Sequence, residues 1–150
     1  MKIDLGKNEL IHFVGIGGIG MSGLALIMSG LGYKVQGSDI ADNRNIERLI
    51  EKKIRVFINH KKENIKKTTV LVVSSAIKKN NPEVVEALKK NLPIYTRGDM
   101  LGHIVSFMRN VVVTGSHGKT TTTSLVSSIF IAGNLDPTII NGGVLNSFGN

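Results

Sequence analysis

Short apolar segments alternate with amphipathic segments along nearly the whole chain. Each apolar segment has the length of a strand. The amphipathic segments repeat their apolar residues at helical spacing, as Leu24, Ile27 and Leu31 do. Strict alternation with short loops favours parallel strands with helices on both faces of the sheet. The sequence therefore predicts an α/β fold with a doubly wound parallel sheet.

The positions of the predicted strands and helices follow from the same pattern. The strands are Leu10–Val14, Lys34–Gly37, Arg55–Ile58, Thr69–Val73, Leu92–Tyr95, Asn110–Thr114 and Thr138–Ile140. The helices are Met21–Leu31, Asn43–Lys53 with Asp42 or Asn43 as its cap, one that begins at Asn81–Pro82, one through Leu101 and Met108, and one from Ser116 or Gly118 to Ala132.

The chain changes character near Arg109. Five strand–helix units precede this residue, which is enough to close a small doubly wound domain. One glycine-rich loop, one helix and one strand follow it, and such a unit cannot bury its own apolar faces. We therefore expect one domain over residues 1–108 and the truncated beginning of a second domain over residues 109–150.

Composition excludes several classes of protein. The chain of 150 residues is 41% hydrophobic and 20% charged, as in ordinary globular domains, and it has no Cys for a disulfide or a thiolate metal site. The net charge is +8, but aromatic residues make up only 5%, so stacking platforms for nucleic acid are few. No apolar run reaches the roughly 18 residues of a membrane span, and no signal peptide is expected at the N-terminus. We expect a cytoplasmic protein with neither nucleic acid nor a membrane as partner.

A glycine-rich segment follows the first predicted strand and opens the first predicted helix. It carries the G-x-G-x-x-G pattern at Gly15, Gly17 and Gly20, with Gly18 and Ile19 in between. The first glycine permits a tight turn, the second lets the backbone approach a diphosphate, and the third lets the helix pack close to the strand. The free N–H groups at the helix N-terminus attract the anion. The segment predicts a Rossmann-like domain that binds a nucleotide diphosphate of unspecified identity.

Two further groups of residues are expected at the same edge of the sheet. Asp39 ends the second strand about 20 residues after the glycine pattern, where dinucleotide-binding folds place a ribose-binding carboxylate. Ser38 and Asp39 are also suited to capping the next turn. Ser74, Ser75 and Ala76 follow the fourth strand, so they either line the ligand crevice or form a simple strand-to-helix turn.

A second glycine-rich segment follows the predicted strand Asn110–Thr114. It ends in the Gly-Lys-Thr sequence of a phosphate-binding P-loop, although Val113 stands where the usual spacing has a glycine. Its N–H groups are expected to cradle a triphosphate, Lys119 to reach the β- and γ-phosphates, and Thr120 to ligate Mg²⁺. His117 either contacts the γ-phosphate or only shapes the loop. The expected ATP-binding residues are Gly115, Ser116, His117, Gly118, Lys119, Thr120 and Thr121.

Taken together, the two glycine loops and the segments around them resemble the Mur ligases of peptidoglycan synthesis. The segments that carry the resemblance are Ile11–Gly23, Gly37–Asp39, Val73–Ile77, Asn81–Val84, Val111–Thr122 and Asp136–Thr138. The resemblance implies a first domain that binds a UDP sugar and a central domain that binds ATP. The UDP-sugar residues that it implies are Gly15, Gly17, Gly18, Ile19, Gly20, Met21, Ser38, Asp39, Ser74, Ser75, Ala76 and Arg97. In the family the arginine begins an Arg-Ala-Glu-Met-Leu block, whereas in this chain Gly98 and Asp99 follow Arg97. Because of this difference, the sequence does not predict where the local helix starts.

The resemblance also implies a reaction and its participants. The carboxylate of UDP-N-acetylmuramate attacks the γ-phosphate of ATP, and the amine of L-alanine then displaces phosphate from the acyl phosphate. Lys119 and His117 are the implied catalytic residues, with ATP and Mg²⁺ as cofactors. The isolated fragment is expected to bind the UDP sugar without turnover. An NAD-dependent oxidoreductase and a non-catalytic nucleotide-binding module remain as alternatives.

Overall fold

A computed structural model describes residue 3, residues 5–141 and the backbone of residues 144–147. The chain forms two compact units, Met1–Met108 and Arg109–Asn150. The sequence changes character at the same position, but the ligands assigned to the two parts remain predictions.

The first unit is built on a five-stranded sheet in which all neighbouring strands run parallel. Its strands are β1 (Leu10–Val14), β2 (Lys34–Asp39), β3 (Arg55–Ile58), β4 (Val70–Val73) and β5 (Ile94–Thr96). The order across the sheet is β3-β2-β1-β4-β5, so the chain moves outward from β1 and then returns to its other side. The loops after β1 and β4 therefore diverge and open a crevice at the carboxyl ends of these strands. The predicted α/β fold with a doubly wound parallel sheet is confirmed.

Four helices and one 3₁₀ turn complete the first unit. They are α1 (Ile19–Gly30), α2 (Arg44–Glu51), the 3₁₀ turn Lys62–Ile65, α3 (Pro82–Lys89) and α4 (Arg97–Phe107). On one face of the sheet, Val14 and Leu71 pack with Ile65 and Ala87. Alternate residues of β1, such as Phe13, are equally buried on the other face, where α1 packs with α2 and α4. None of the described helices is long and apolar enough to cross a membrane.

Side-chain caps explain where three of these helices begin. Asn43 accepts hydrogen bonds from two N–H groups of α2, and Asn81 does the same for α3, where Pro82 fills the first position. α4 begins at Arg97 through a capping box, in which Thr96 and Asp99 each bond the other's backbone N–H. These hydrogen bonds from Thr96 hold the pKa of Asp99 below its ordinary value. Asp99 differs from the glutamate of the family pattern, but it still caps the N-terminus of α4.

The described part of the second unit contains one helix and two paired strands. They are α5 (Lys119–Ala132), β6 (Thr138–Asn141) and β7 (Val144–Ser147), with the two strands antiparallel. The sequence did not predict β7, although two glycines separate the strands in the sequence, which is a recognised hairpin signal.

The predicted strand over Asn110–Thr114 is wrong for this structure, where these residues form no strand. Val111 and Val112 are 60% and 67% exposed. A strand exists only through hydrogen bonds to a neighbouring strand. Within the described part of this unit, β6 and β7 pair only with each other. An apolar β-branched run therefore indicates that a segment can form a strand, but it does not show that a neighbouring strand is present to pair with it.

Candidate functional site

The first glycine loop joins β1 to α1 at the carboxyl edge of the sheet. Gly15 has a φ of +80°, a left-handed conformation that favours glycine. The N–H groups of Gly15 and Ile16 both donate to the carbonyl of Ser38, at 2.8 and 3.0 Å. The N–H of Gly17 donates to Oδ2 of Asp39 at 2.8 Å. The first part of the loop is therefore tied to the end of β2.

The start of α2 holds the same loop from the other side. The carbonyl of Gly17 accepts hydrogen bonds from Nδ2 of Asn43 at 3.3 Å and from Nδ2 of Asn45 at 2.8 Å. A Cβ atom at residue 17 would lie 2.9 Å from both Asn43 Nδ2 and Asp39 Oδ2. A Cβ atom here would displace two side chains that hydrogen-bond to the backbone of Gly17, a reason for glycine that the glycine pattern alone does not reveal. Sequence reasoning missed Asn45 entirely and treated Asn43 only as a helix cap.

Two N–H groups of the loop remain free. Gly18 donates to the carbonyl of Gly15 at 3.2 Å, and Met21 donates to the carbonyl of Gly18 at 3.0 Å. The N–H groups of Ile19 and Gly20 donate to no atom among the described residues. Gly18 offers no side-chain cap, and the first turn of α1 holds no acidic residue. The positive end of α1 is therefore open to an anion.

Arg97 lies against this open helix end. A Cβ atom at Gly20 would be 2.9 Å from Nη1 of Arg97, so the guanidinium lies beside the first turn of α1. Arg97 forms no ion pair within the described part of the chain. A cation next to the positive end of a helix is unfavourable until an anion joins them. The pair of groups fits a phosphate oxygen.

The serines after β4 meet the loop at the same edge. The N–H of Ser74 donates to the carbonyl of Val14 at 3.2 Å, and a Cβ atom at Gly15 would be 3.2 Å from the Cβ of Ser74. Ser75 and Ala76 are exposed in the turn that follows. The structure thus brings together the glycine loop, Asp39, Ser74 and Arg97, as the sequence predicts for one crevice.

Ser38 occupies a different position from these residues. Its side chain is fully buried, and its hydroxyl donates to Oε2 of Glu83 at 2.5 Å. The backbone of Ser38, rather than its hydroxyl, contacts the glycine loop. Direct contact between the Ser38 side chain and a ligand therefore stays a prediction, and Glu83 is a neighbour that sequence reasoning missed.

The second glycine loop, in the other unit, is far more open. Gly118 is the N-cap of α5 with a φ of +75°, no side chain caps the helix, and its first turn holds no acidic residue. The backbone N–H groups from Gly115 through Thr121 donate to no described atom. Nζ of Lys119 donates to the carbonyls of Gly115 at 2.6 Å and Ser116 at 3.2 Å. The loop presents a row of donors with an ammonium group folded back onto it, and His117 is exposed in the same loop.

Ligases of one family are similar to this chain in sequence. The family model described as "Mur ligase family, catalytic domain" matches residues 10–109. A UDP-N-acetylmuramate--L-alanine ligase of Pelagibacter ubique (strain HTCC1062) is 67% identical over 150 residues, which are 100% of this chain and 32% of that protein. A ligase of the same name from Brucella ovis is 56% identical over 149 residues, 99% of this chain and 31% of that protein. The chain thus spans about a third of the length of these curated relatives.

Solved structures give the same result. The crystal structure of a UDP-N-acetylmuramate-alanine ligase from Thermotoga maritima superposes with a TM-score of 0.79 at 34% identity, covering 88% of this chain and 31% of that one. A murein peptide ligase from Psychrobacter arcticus 273-4 superposes with a TM-score of 0.81 at 28% identity, covering 95% of this chain and 30% of that one. With the family model matched across most of the chain and the first glycine loop between a strand and a helix, this chain belongs to the Mur ligase family.

Proposed function

We propose that the protein containing this chain joins L-alanine to UDP-N-acetylmuramate with ATP, in the cytoplasmic synthesis of peptidoglycan precursors. The observation that carries the proposal is the 67% identity over the whole chain to a relative of that name. The two open helix N-termini support it, because a sugar nucleotide and ATP each bring a phosphate chain.

In this proposal the first unit binds the UDP sugar. The diphosphate takes the free N–H groups of Ile19 and Gly20 together with the guanidinium of Arg97. The carboxylate of Asp39 accepts from Gly17 and from the N–H of Ala41 at 3.2 Å, and its remaining lone pairs suit a ribose hydroxyl.

The unit that starts at Arg109 begins the ATP-binding domain. The triphosphate takes the free N–H groups of Gly115 to Thr121, and Lys119 exchanges its two carbonyl contacts for β- and γ-phosphate oxygens. In this proposal His117, which is exposed in the same loop, contacts the γ-phosphate.

The chemistry that follows is acyl activation. A carboxylate oxygen of the muramoyl group attacks the γ-phosphorus, and the bond from that phosphorus to the β–γ bridging oxygen breaks to release ADP. The amine of L-alanine then attacks the acyl carbon, loses a proton, and inorganic phosphate leaves. Lys119 offsets the negative charge that accumulates on the phosphoryl oxygens.

The residues around Thr120 fit a magnesium ion. The hydroxyls of Thr123, Ser124, Ser127 and Ser128 each donate to the carbonyl four residues earlier in α5. The hydroxyl of Thr120 makes no such bond among the described residues, so it would be available to hold a Mg²⁺ ion. Bound there, Mg²⁺ would neutralise phosphate charge. No cluster of three or more carboxylate or imidazole groups suited to a metal occurs among the described residues.

Ligation by the full-length protein tests the proposal. Radiolabelled L-alanine should enter a UDP-linked product only when ATP and UDP-N-acetylmuramate are both present, and residues 1–150 alone should bind the sugar nucleotide without forming product. Absence of ligation in the full-length protein would refute the proposed function. Tight binding of NADH in place of UDP-N-acetylmuramate would instead favour the oxidoreductase alternative.

A further inference from the structure

A buried carboxylate with no part in the proposed chemistry lies near the first glycine loop. Glu83 is the second residue of α3, and its side chain is 0% exposed. Its Oε2 accepts from the Ser38 hydroxyl at 2.5 Å and lies 3.1 Å from Nδ1 of His60. Its Oε1 accepts from Nδ2 of Asn64 at 2.7 Å and lies 3.5 Å from Nε2 of His12. We call Glu83 and these four partners the Glu83 network.

The surroundings of Glu83 favour the charged form of its carboxylate. Burial raises the pKa of Glu83, but hydrogen bonds from His12, Ser38 and Asn64 outweigh burial and hold the pKa below its ordinary value. The N-terminal end of α3 also favours negative charge at this position. Gln36 donates through Nε2 to Nδ1 of His12 at 3.1 Å, which leaves the proton of a neutral imidazole on Nε2, the nitrogen that faces Glu83.

Ser38 connects this charge to the glycine loop. Its hydroxyl is bound to Glu83, whereas its carbonyl receives the N–H groups of both Gly15 and Ile16. The next residue, Asp39, receives the N–H of Gly17. The position of Ser38 therefore sets the position of the first half of the loop, and this half determines where the free N–H groups of Ile19 and Gly20 lie.

We propose that Glu83 is a positioning residue for sugar-nucleotide binding, fixing Ser38 so that the glycine loop presents its two free N–H groups to the diphosphate. The identity of the ligand rests on the proposed function, but the positioning of the loop does not. A purely stabilising role would instead make Glu83 important for folding without a selective effect on one substrate.

Steady-state kinetics on the full-length enzyme distinguish these roles. Glu83→Gln keeps the size of the side chain but removes the charge and turns an amide toward donors. We expect KM for UDP-N-acetylmuramate to rise by about tenfold to a hundredfold, the effect of weakening charge-assisted hydrogen bonds. KM for ATP should stay within about twofold. Glu86→Gln is the matched control, because Glu86 lies one turn later in α3 and pairs only with the exposed Lys90, at 3.6 Å.

A double-mutant cycle tests whether Glu83 acts through Ser38. Ser38→Ala deletes the hydroxyl but keeps the carbonyl, so it should raise the same KM by a smaller factor. The double variant should be no worse than Glu83→Gln alone. Additive effects, an unchanged KM, or an equal rise in KM for ATP would overturn the proposal. If Glu83→Gln fails to fold, Ser38→Ala tests the positioning role by itself. Its KM for UDP-N-acetylmuramate should rise while its KM for ATP stays unchanged.

Calorimetric titration with UDP separates this inference from the proposed function. If the wild-type protein binds UDP but does not ligate alanine, the ligase proposal fails, and the loss of UDP affinity in Glu83→Gln still confirms the positioning role. Equal UDP affinity in the wild type and Glu83→Gln, or no UDP binding by the wild type, would refute it.

Discussion

The two glycine loops are built in opposite ways. The first is held by neighbouring elements, with its N–H groups from Gly15 to Gly17 bonded to the end of β2 and the carbonyl of Gly17 bonded to the start of α2. In the second, no N–H from Gly115 through Thr121 donates to a described residue, and its own Lys119 contacts its carbonyls. A glycine loop before an uncapped helix can therefore be a fixed platform with few free donors or an open row of donors. The first suits a diphosphate with further contacts elsewhere, and the second suits a longer phosphate chain.

The two helices that follow these loops, α1 and α5, differ from the other helices at their N-termini. α2, α3 and α4 each start with a side-chain cap and an acidic residue in the first turn. α1 and α5 have neither feature. Of the described α-helices, those that lack a cap are thus the two that follow a glycine loop.

Removing the ammonium of Lys119 should give the largest effect. In the full-length enzyme, Lys119→Ala should lower turnover about 100- to 1,000-fold, the effect of losing one preorganised charge donor. UDP-sugar affinity should stay within about twofold, since that ligand is assigned to the first loop. Lys119→Arg should also fail, because a planar guanidinium replaces a compact point charge.

Kinetics and titration on the same preparation would check this expectation. Lys89→Ala, an exposed lysine in the last turn of α3, serves as the control. Near-normal turnover of Lys119→Ala would remove the second loop from the ATP site and break the comparison.

Adding a methyl group at Gly17 should disrupt the fixed platform. Its Cβ would lie 2.9 Å from Asp39 and Asn43, so Gly17→Ala should cost about 1–3 kcal/mol of unfolding free energy. UDP-sugar affinity should fall by about tenfold or more as the loop shifts away from β2. Chemical denaturation and calorimetry measure the two effects.

Gly30→Ala is a matched control, because a Cβ atom there meets nothing within 4 Å. It should leave binding unchanged. Unchanged binding by Gly17→Ala would show that the ties to β2 and α2 do not position the ligand site.

Replacing Arg97 should weaken binding without disturbing the fold. The side chain is exposed, forms no ion pair with the described residues and lies beside the positive end of α1, so Arg97→Ala should not lower the melting temperature. UDP-sugar affinity should fall by about tenfold, the effect of one charge-assisted contact. Arg97→Lys should recover part of the loss.

Arg48→Ala, at another exposed arginine, should have no effect on this affinity. If Arg97→Ala binds the UDP sugar as the wild type does, then the open end of α1 receives its anion without help from Arg97.

The pH dependence of stability should show the smallest effect. The pKa of Glu83 is lowered on folding, so its stabilising contribution is present above the ordinary value of 4.5 and is lost as pH falls through the lower folded-state value. Between wild type and Glu83→Gln, the difference in unfolding free energy should therefore shrink as pH drops below about 4.5. Denaturant titrations at several acidic pH values measure it, and a difference that does not vary with pH would show that folding does not lower the pKa of Glu83.

Much of this architecture is readable from the sequence because it depends on local patterns. β1 and β3 lie where their apolar runs predict, and Asn43 and Pro82 mark the starts of α2 and α3. The glycine pattern and Asp39 likewise predict which elements form the crevice.

The remaining features depend on distant neighbours. The tie between Asn45 and Gly17, and the burial of Glu83 against Ser38, join segments far apart in sequence. A glutamate in the first turn of a helix looks like an ordinary exposed residue until the fold places β2 beside it. The run Asn110–Thr114 shows the converse, since its composition favours a strand but no described strand pairs with it.

The contacts of Lys119 have a consequence for anion selectivity. Before any phosphate binds, the ammonium must leave the carbonyls of Gly115 and Ser116, so these oxygens act as an internal competitor. A small anion such as sulfate replaces those two contacts with about as many of its own and gains little. A polyphosphate chain also reaches the free N–H groups along the loop. Each of these additional contacts strengthens binding, because the loss of the two Lys119 contacts has already been offset. The second loop should therefore favour anions that make many contacts along it over small anions such as sulfate that make few.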